Sequence, residues 1–161
     1  TAQAQDVTLQ LKWVTQAQFA GYYVAQAKGF YEEEGLNVTI LPSKGTADAI
    51  RTVVTGGAEI GFIDVPSLVA AGGAGAPIRI VAANYQKPPY CIFSLNPGAN
   101  IDDAKKLQGI ELGSSSASFL PKIWQAVMEM NGVDSKMMKI VNIDAPARVP
   151  MLAARKVPSI D

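Results

Sequence analysis

Several side chains in this sequence have the type and position to do chemistry. Asp64 follows the apolar run Ile60-Gly61-Phe62-Ile63. A carboxylate at a strand end can accept hydrogen bonds from a ring N–H or an amine. The same position suits an N-cap for a helix starting near Val65, with Pro66 at an allowed early place, and the two roles are compatible. Ser114, Ser115 and Ser116 precede a predicted helix. Hydroxyls and N–H groups there favour a carboxylate, sulfonate or phosphate; the alternative is a polar loop with one capping serine. Trp13 and Tyr22 suit either stacking on a flat ligand or filling a core, and Tyr85 and Tyr90 flank a Lys87-Pro88-Pro89 connector where an aromatic could stack. Gln18, with Gln16 and Phe19, occupies a loop and first helical turn whose free N–H groups either receive a polar ligand edge or are capped.

What is missing narrows the chemistry. The 161 residues contain no histidine, which removes the commonest general base and neutral metal ligand. The single cysteine, Cys91, permits no internal disulfide and reads as a strand-core residue. Lys plus Arg number 14 and Asp plus Glu number 14, scattered rather than clustered, so no nucleic-acid partner is expected. No P-loop, nucleophile elbow or metal-spaced cluster occurs, so no cofactor is called for. No apolar run is long enough to span a bilayer. The small, polar residues 1–6 fit the start left by signal-peptide removal, or a frayed terminus.

Positioning these groups requires an α/β scaffold, which 48% apolar residues can fill with a packed core. Alternation of Val7, Leu9, Leu11 and Trp13 predicts a strand over 7–14. Phe19, Tyr23, Ala27 and Phe30 mark the buried face of a helix over 19–34, stopped at Gly35. Strands follow at 36–41, 59–63 and 78–83, and helices at 46–55, capped by Thr46, and at 65–71. Beyond the connector come strands at 90–95, 109–112 and 138–143. Helices are expected at 102–107, 118–131 and 147–155. Strands alternating with helices imply open parallel sheets, whose ligands bind beyond the C-terminal strand ends. The order of elements repeats, and the repeat carries an echo. Glu59-Ile60-Gly61-Phe62-Ile63-Asp64 and Lys156-Val157-Pro158-Ser159-Ile160-Asp161 each follow a helix and end in Ile-Asp.

Three stretches resemble a known family. They are Leu11-Lys12-Trp13-Val14, then Ala20-Gly21-Tyr22-Tyr23-Val24-Ala25, then Lys28-Gly29-Phe30-Tyr31 with Gly35-Leu36-Asn37-Val38. The likeness continues through Ala58-Glu59-Ile60-Gly61-Phe62, Gly75-Ala76-Pro77-Ile78 and Asp103-Ala104-Lys105-Lys106-Leu107-Gln108-Gly109. The chain is similar to periplasmic solute-binding proteins of the nitrate, sulfonate and taurine group, nearest the branch that binds thiamine-pyrimidine precursors and related heterocycles.

The resemblance implies a type II periplasmic-binding fold: two α/β lobes with ligand trapped between them, here 1–88 and 89–161. It implies delivery of a small solute to an ABC permease, outside the cytoplasm, without catalysis. A ligand-sensing domain of a receptor or regulator, or a sulfonate, nitrate or taurine binder, are the alternatives. Fungal relatives make the thiamine pyrimidine using a histidine and a cysteine-rich motif, which this sequence lacks. With aromatics and Asp64, and no Lys or Arg read at those strand ends, the ligand expected is a flat, mostly neutral heterocycle. The resemblance also implies a chain about twice this long. An antiparallel strand between 59–63 and 78–83 is then expected from residues beyond Asp161, and the chain is expected either to fill that slot with a strand from another copy or to rearrange around it.

Overall fold

The computed structural model describes residues 4–87, 90–115 and 118–161. Contacts divide the chain into two compact units, Thr1–Ala83 and Asn84–Asp161.

In the first unit β1 (Gln5–Gln10) lies between β2 (Leu36–Leu41) and β3 (Ile60–Gly61), all parallel. The connections are helical. A 3-10 turn (Ala17–Phe19) leads into α1 (Ala20–Ala27), and α2 (Phe30–Glu33) follows a break at Gly29. The break has a cause: Gly29 has φ 75°, a left-handed conformation that costs glycine nothing. α3 (Thr46–Val54) and α4 (Val65–Gly73) complete the unit. Its core is Leu9, Leu11 and Phe19, with Trp13, Tyr22, Tyr23 and Phe62 packed on it.

In the second unit β5 (Glu111–Ser114) lies between β6 (Lys139–Asn142) and β7 (Ser159–Ile160), again parallel. The connecting helices are α5 (Leu120–Met130) and α6 (Ala145–Ala153). A fourth strand, β4 (Phe93–Ser94), runs antiparallel on the outer edge of β7. α5 buries Trp124 and Met128 against Leu107, Leu112, Val133 and Met138. Ile143, Leu152, Val157 and Ile160 form a second cluster.

Several sequence expectations need correction. β1 stops at Gln10, not residue 14. Leu11 still donates to the Leu41 carbonyl at 2.8 Å, and residues 12–15 form a bend rather than strand. Phe30 does not anchor a helix end in the core; it is 49% exposed. Residues 78–83 form no strand, and Ile80 and Val81 face solvent. Their composition is strand-like, but a strand exists only when a neighbour takes its N–H and C=O groups, and β3 has β1 on one side and no strand on the other among the described residues. Within 90–95 only Phe93 and Ser94 pair, so Cys91 is exposed rather than in a strand core.

Candidate functional site

The site in the first unit is built where β1 and β3 end. β1 delivers Lys12 just past its last residue, and β3 delivers Asp64 in the N-cap position of α4. Lys12 Nζ and Asp64 Oδ1 form an ion pair, with side chains 16% and 9% exposed. The second carboxylate oxygen accepts the Thr46 hydroxyl at 2.5 Å. Asp64 therefore holds the cap position, but its side chain makes no cap hydrogen bond to α4. Thr46 is not the cap expected for α3 either. Gly45 takes that place, and Thr46 opens the helix with its hydroxyl committed to Asp64. The ends of β1 and β2 are tied by buried Gln10, whose amide donates to the carbonyls of Leu41 at 3.0 Å and Pro42 at 3.2 Å.

Beneath the ion pair is an aromatic shelf. Phe62 meets Phe19 edge-on at 5.3 Å and Tyr22 at 5.9 Å, and the Lys12 ammonium lies 5.8 Å from the Phe62 ring centre. Trp13 packs against the same core although it lies off the strand. Of the residues singled out from sequence, Trp13, Tyr22 and Asp64 thus share one neighbourhood. Gln18 is in the adjoining 3-10 turn, where its amide donates to the Gln16 side chain at 2.8 Å. The expectation of no Lys or Arg at the strand ends is overturned, because Lys12 is there and neutralises Asp64.

In the second unit the corresponding strand ends carry Ser114 and Asp161. The Ser114 hydroxyl, wholly buried, donates to Asp161 Oδ2 at 2.8 Å, and the Trp124 indole N–H lies 3.4 Å from the same oxygen. Arg148 Nη1 contacts Asp161 Oδ1 at 2.9 Å and the backbone carbonyl at 2.8 Å. The side chains of Arg148 and Asp161 are 8% and 0% exposed. Burial pushes the Asp161 carboxyl above its ordinary range, opposed by its bond from Ser114 and the charge of Arg148. Ser115 is half-buried and its carbonyl accepts the Ser118 N–H at 3.0 Å; Ser116 lies outside the described residues. Tyr90 packs into the core of this unit, and Tyr85 is 49% exposed. α5 starts at Leu120 rather than 118, with Pro121 in its first turn.

Sequence reasoning missed Lys12, Arg148 and the bond of Thr46 to Asp64. Lys12 had a visible signal, being a lone cation between Leu11 and Trp13 at a strand end. Arg148 had none, since a charged residue on a helix normally faces water. The clefts among the described residues include one of about 480 Å³ beside Leu68, Val69 and residues 78–80, and another of about 250 Å³ beside Ile92, Ile101, Leu107 and Trp124. Neither is lined by Asp64 or Ser114.

Two α/β units, each with three parallel strands in the same order and an aspartate just beyond the third, define a periplasmic-binding-protein fold. The aliphatic sulphonate binding protein SsuA of Escherichia coli superposes with a TM-score of 0.74 at 12% identity, over 97% of this chain and 53% of that one. The chain belongs to the NMT1/THI5-like family, whose model matches residues 16–160. It is 32% identical over 106 residues to the riboflavin-binding protein RibY of Chloroflexus aurantiacus, covering 63% of this chain and 30% of that protein. It is 28% identical over 137 residues to a protein of Legionella pneumophila named 4-amino-5-hydroxymethyl-2-methylpyrimidine phosphate synthase, covering 85% and 43%. The chain thus spans less than half the length of these curated relatives.

Proposed function

We propose that this chain is the ligand-capturing part of a solute-binding protein, each unit forming one lobe, that passes a nitrogen heterocycle to an ABC permease outside the cytoplasm and performs no catalysis. The observation that carries this reading is the Lys12–Asp64 pair over the Phe19–Phe62–Tyr22 shelf. A neutralised carboxylate beside aromatic faces suits a flat, uncharged ring that offers a hydrogen-bond donor, rather than a free anion or cation. The names of the relatives point the same way, one a riboflavin-binding protein and the other a pyrimidine phosphate synthase. Catalysis of that second kind is disfavoured because the sequence has no histidine and its one cysteine is exposed.

Strand exchange belongs to the same proposal. The edge of β3 away from β1 carries no strand among the described residues and would accept an antiparallel strand from a second copy.

A thermal-shift screen with riboflavin, 4-amino-5-hydroxymethyl-2-methylpyrimidine, taurine and nitrate tests the solute reading, because a ligand that binds only the folded state raises Tm. At least one heterocycle is expected to raise Tm for the wild type and to do so less for Asp64→Ala. Equal shifts for both proteins would remove Asp64 from the site.

A further inference from the structure

The Lys12 ammonium meets two different partners at once. It pairs with Asp64, 52 residues further along the chain, and it lies 5.8 Å from the centre of the Phe62 ring. An anionic oxygen and an aromatic face are the two features that draw an organic cation into a binding site. In this unit both are engaged by a cation that belongs to the chain itself. The pair is not sealed. The Lys12 and Asp64 side chains are 16% and 9% exposed, and Lys12 rises on its flexible stem from the bend at 12–15 rather than from the sheet. The buried Arg148–Asp161 clamp of the second unit, at 8% and 0%, has no such access.

We propose that Lys12 is a specificity-determining residue: a built-in cation that occupies the Asp64 carboxylate and the Phe62 face, and so excludes positively charged heterocycles from a site that would otherwise select them. This rests on the solute-binding reading and adds to it the residue that sets the charge of the ligand. A cationic ligand entering beside Asp64 must displace the ammonium or sit next to it at a like-charge cost. A neutral ring meets neither penalty. Specificity of this kind comes from a repulsive element as much as from an attractive one. Without Lys12, the same carboxylate and aromatic face would form a cation site.

Two matched probes read the charge preference: 4-amino-5-hydroxymethyl-2-methylpyrimidine, and its analogue in which a protonated aminomethyl group replaces the hydroxymethyl. Calorimetric titration at neutral pH gives the ratio of the two affinities for wild type, Lys12→Met and Asp64→Asn. The wild type is expected to favour the neutral probe. In Lys12→Met the ratio should move about 10-fold toward the cationic probe, the lower end for a hydrogen bond to a charged group. Asp64→Asn keeps the ammonium on a stem that can reach water, and should move the ratio the other way. The ratio is taken within one protein, so a general loss of affinity in a variant leaves it readable. A Lys12→Met ratio within two-fold of wild type overturns the role of Lys12 and leaves the solute reading intact, as does a wild type that favours the cationic probe. Where Lys12→Met does not fold, Asp64→Asn decides alone, and a ratio that is unmoved, moved toward the cation or no longer measurable overturns the proposal. Failure of the wild type to bind either pyrimidine also overturns it, and failure to bind riboflavin as well overturns the solute reading with it.

Discussion

The two units use the same chain path to place an aspartate and then treat that aspartate differently. In each, three parallel strands run in the order second, first, third, and the third is followed by or ends in Ile-Asp. In each, a hydroxyl and a cation meet the carboxylate. The first unit leaves its pair partly reachable, at 16% and 9% exposure, with a flexible lysine as the cation. The second encloses its pair, at 8% and 0%, with a planar guanidinium that also holds the Asp161 backbone carbonyl. The second also covers the outer edge of its third strand with β4, for which the first has no counterpart among the described residues. One topology therefore yields a reachable polar pair in one unit and a fixed internal clamp in the other. Accessibility, rather than residue type, separates them.

The strongest way to break this comparison is to remove the carboxylates in turn. Asp161→Ala leaves a buried guanidinium that cannot deprotonate, at a cost of about 3–5 kcal/mol, read as a lowered urea midpoint. Asp64→Ala leaves an ammonium whose stem can carry it to water, so the loss is about 1–2 kcal/mol. A larger loss for Asp64→Ala than for Asp161→Ala would reverse the roles assigned here.

Acid titration sharpens the contrast further. In the second unit, the folded pKa of Asp161 is raised, so its favourable contribution is full below the ordinary carboxylate range and is lost as pH rises through the folded value. In the first unit, exposed Glu59 accepts the Thr8 N–H at 2.7 Å, and that bond lowers its pKa. Its contribution is present above the unfolded carboxylate value and lost as pH falls through the folded one. Asp161→Asn should therefore gain on wild type as pH rises from about 4, the unperturbed carboxylate range, whereas Glu59→Gln should lose on it as pH rises toward that range from below. Parallel trends in the two variants' Tm would contradict the assignment.

The smallest expected effect concerns the bare edge. Ile80→Lys lies in an exposed, unpaired segment, so its effect on stability should stay within about 0.5 kcal/mol. Light scattering should nonetheless show less self-association than wild type, since charge on an exposed edge discourages strand addition. Unchanged association would move any second-copy contact elsewhere.

How legible all this was in sequence depended on whether a feature is local. β2 was read residue for residue, because Leu36, Val38 and Ile40 alternate and Pro42 ends the run. Asp64 was found because strand-then-helix order puts a residue at the sheet's C-terminal edge. The Ile-Asp echo, with the repeated element order, points to two similar units but not to the contacts of Asp161. Features fixed by distant partners were lost. Residues 78–83 have strand composition and no strand to pair with. Cys91 is flanked by strand-like residues but lies outside the short pairing of β4. Arg148 carries no signal in the sequence, and the pairing of Lys12 with Asp64 is fixed only by the fold, which brings together residues 52 apart.

The central claim is that the first unit's neutralised, aromatic-backed aspartate serves a flat neutral ligand. Calorimetric titration of the wild-type chain with riboflavin, 4-amino-5-hydroxymethyl-2-methylpyrimidine, taurine and nitrate tests it most directly. The account predicts that a heterocycle binds more tightly than both taurine and nitrate. Tighter binding of taurine or nitrate than of either heterocycle would contradict it.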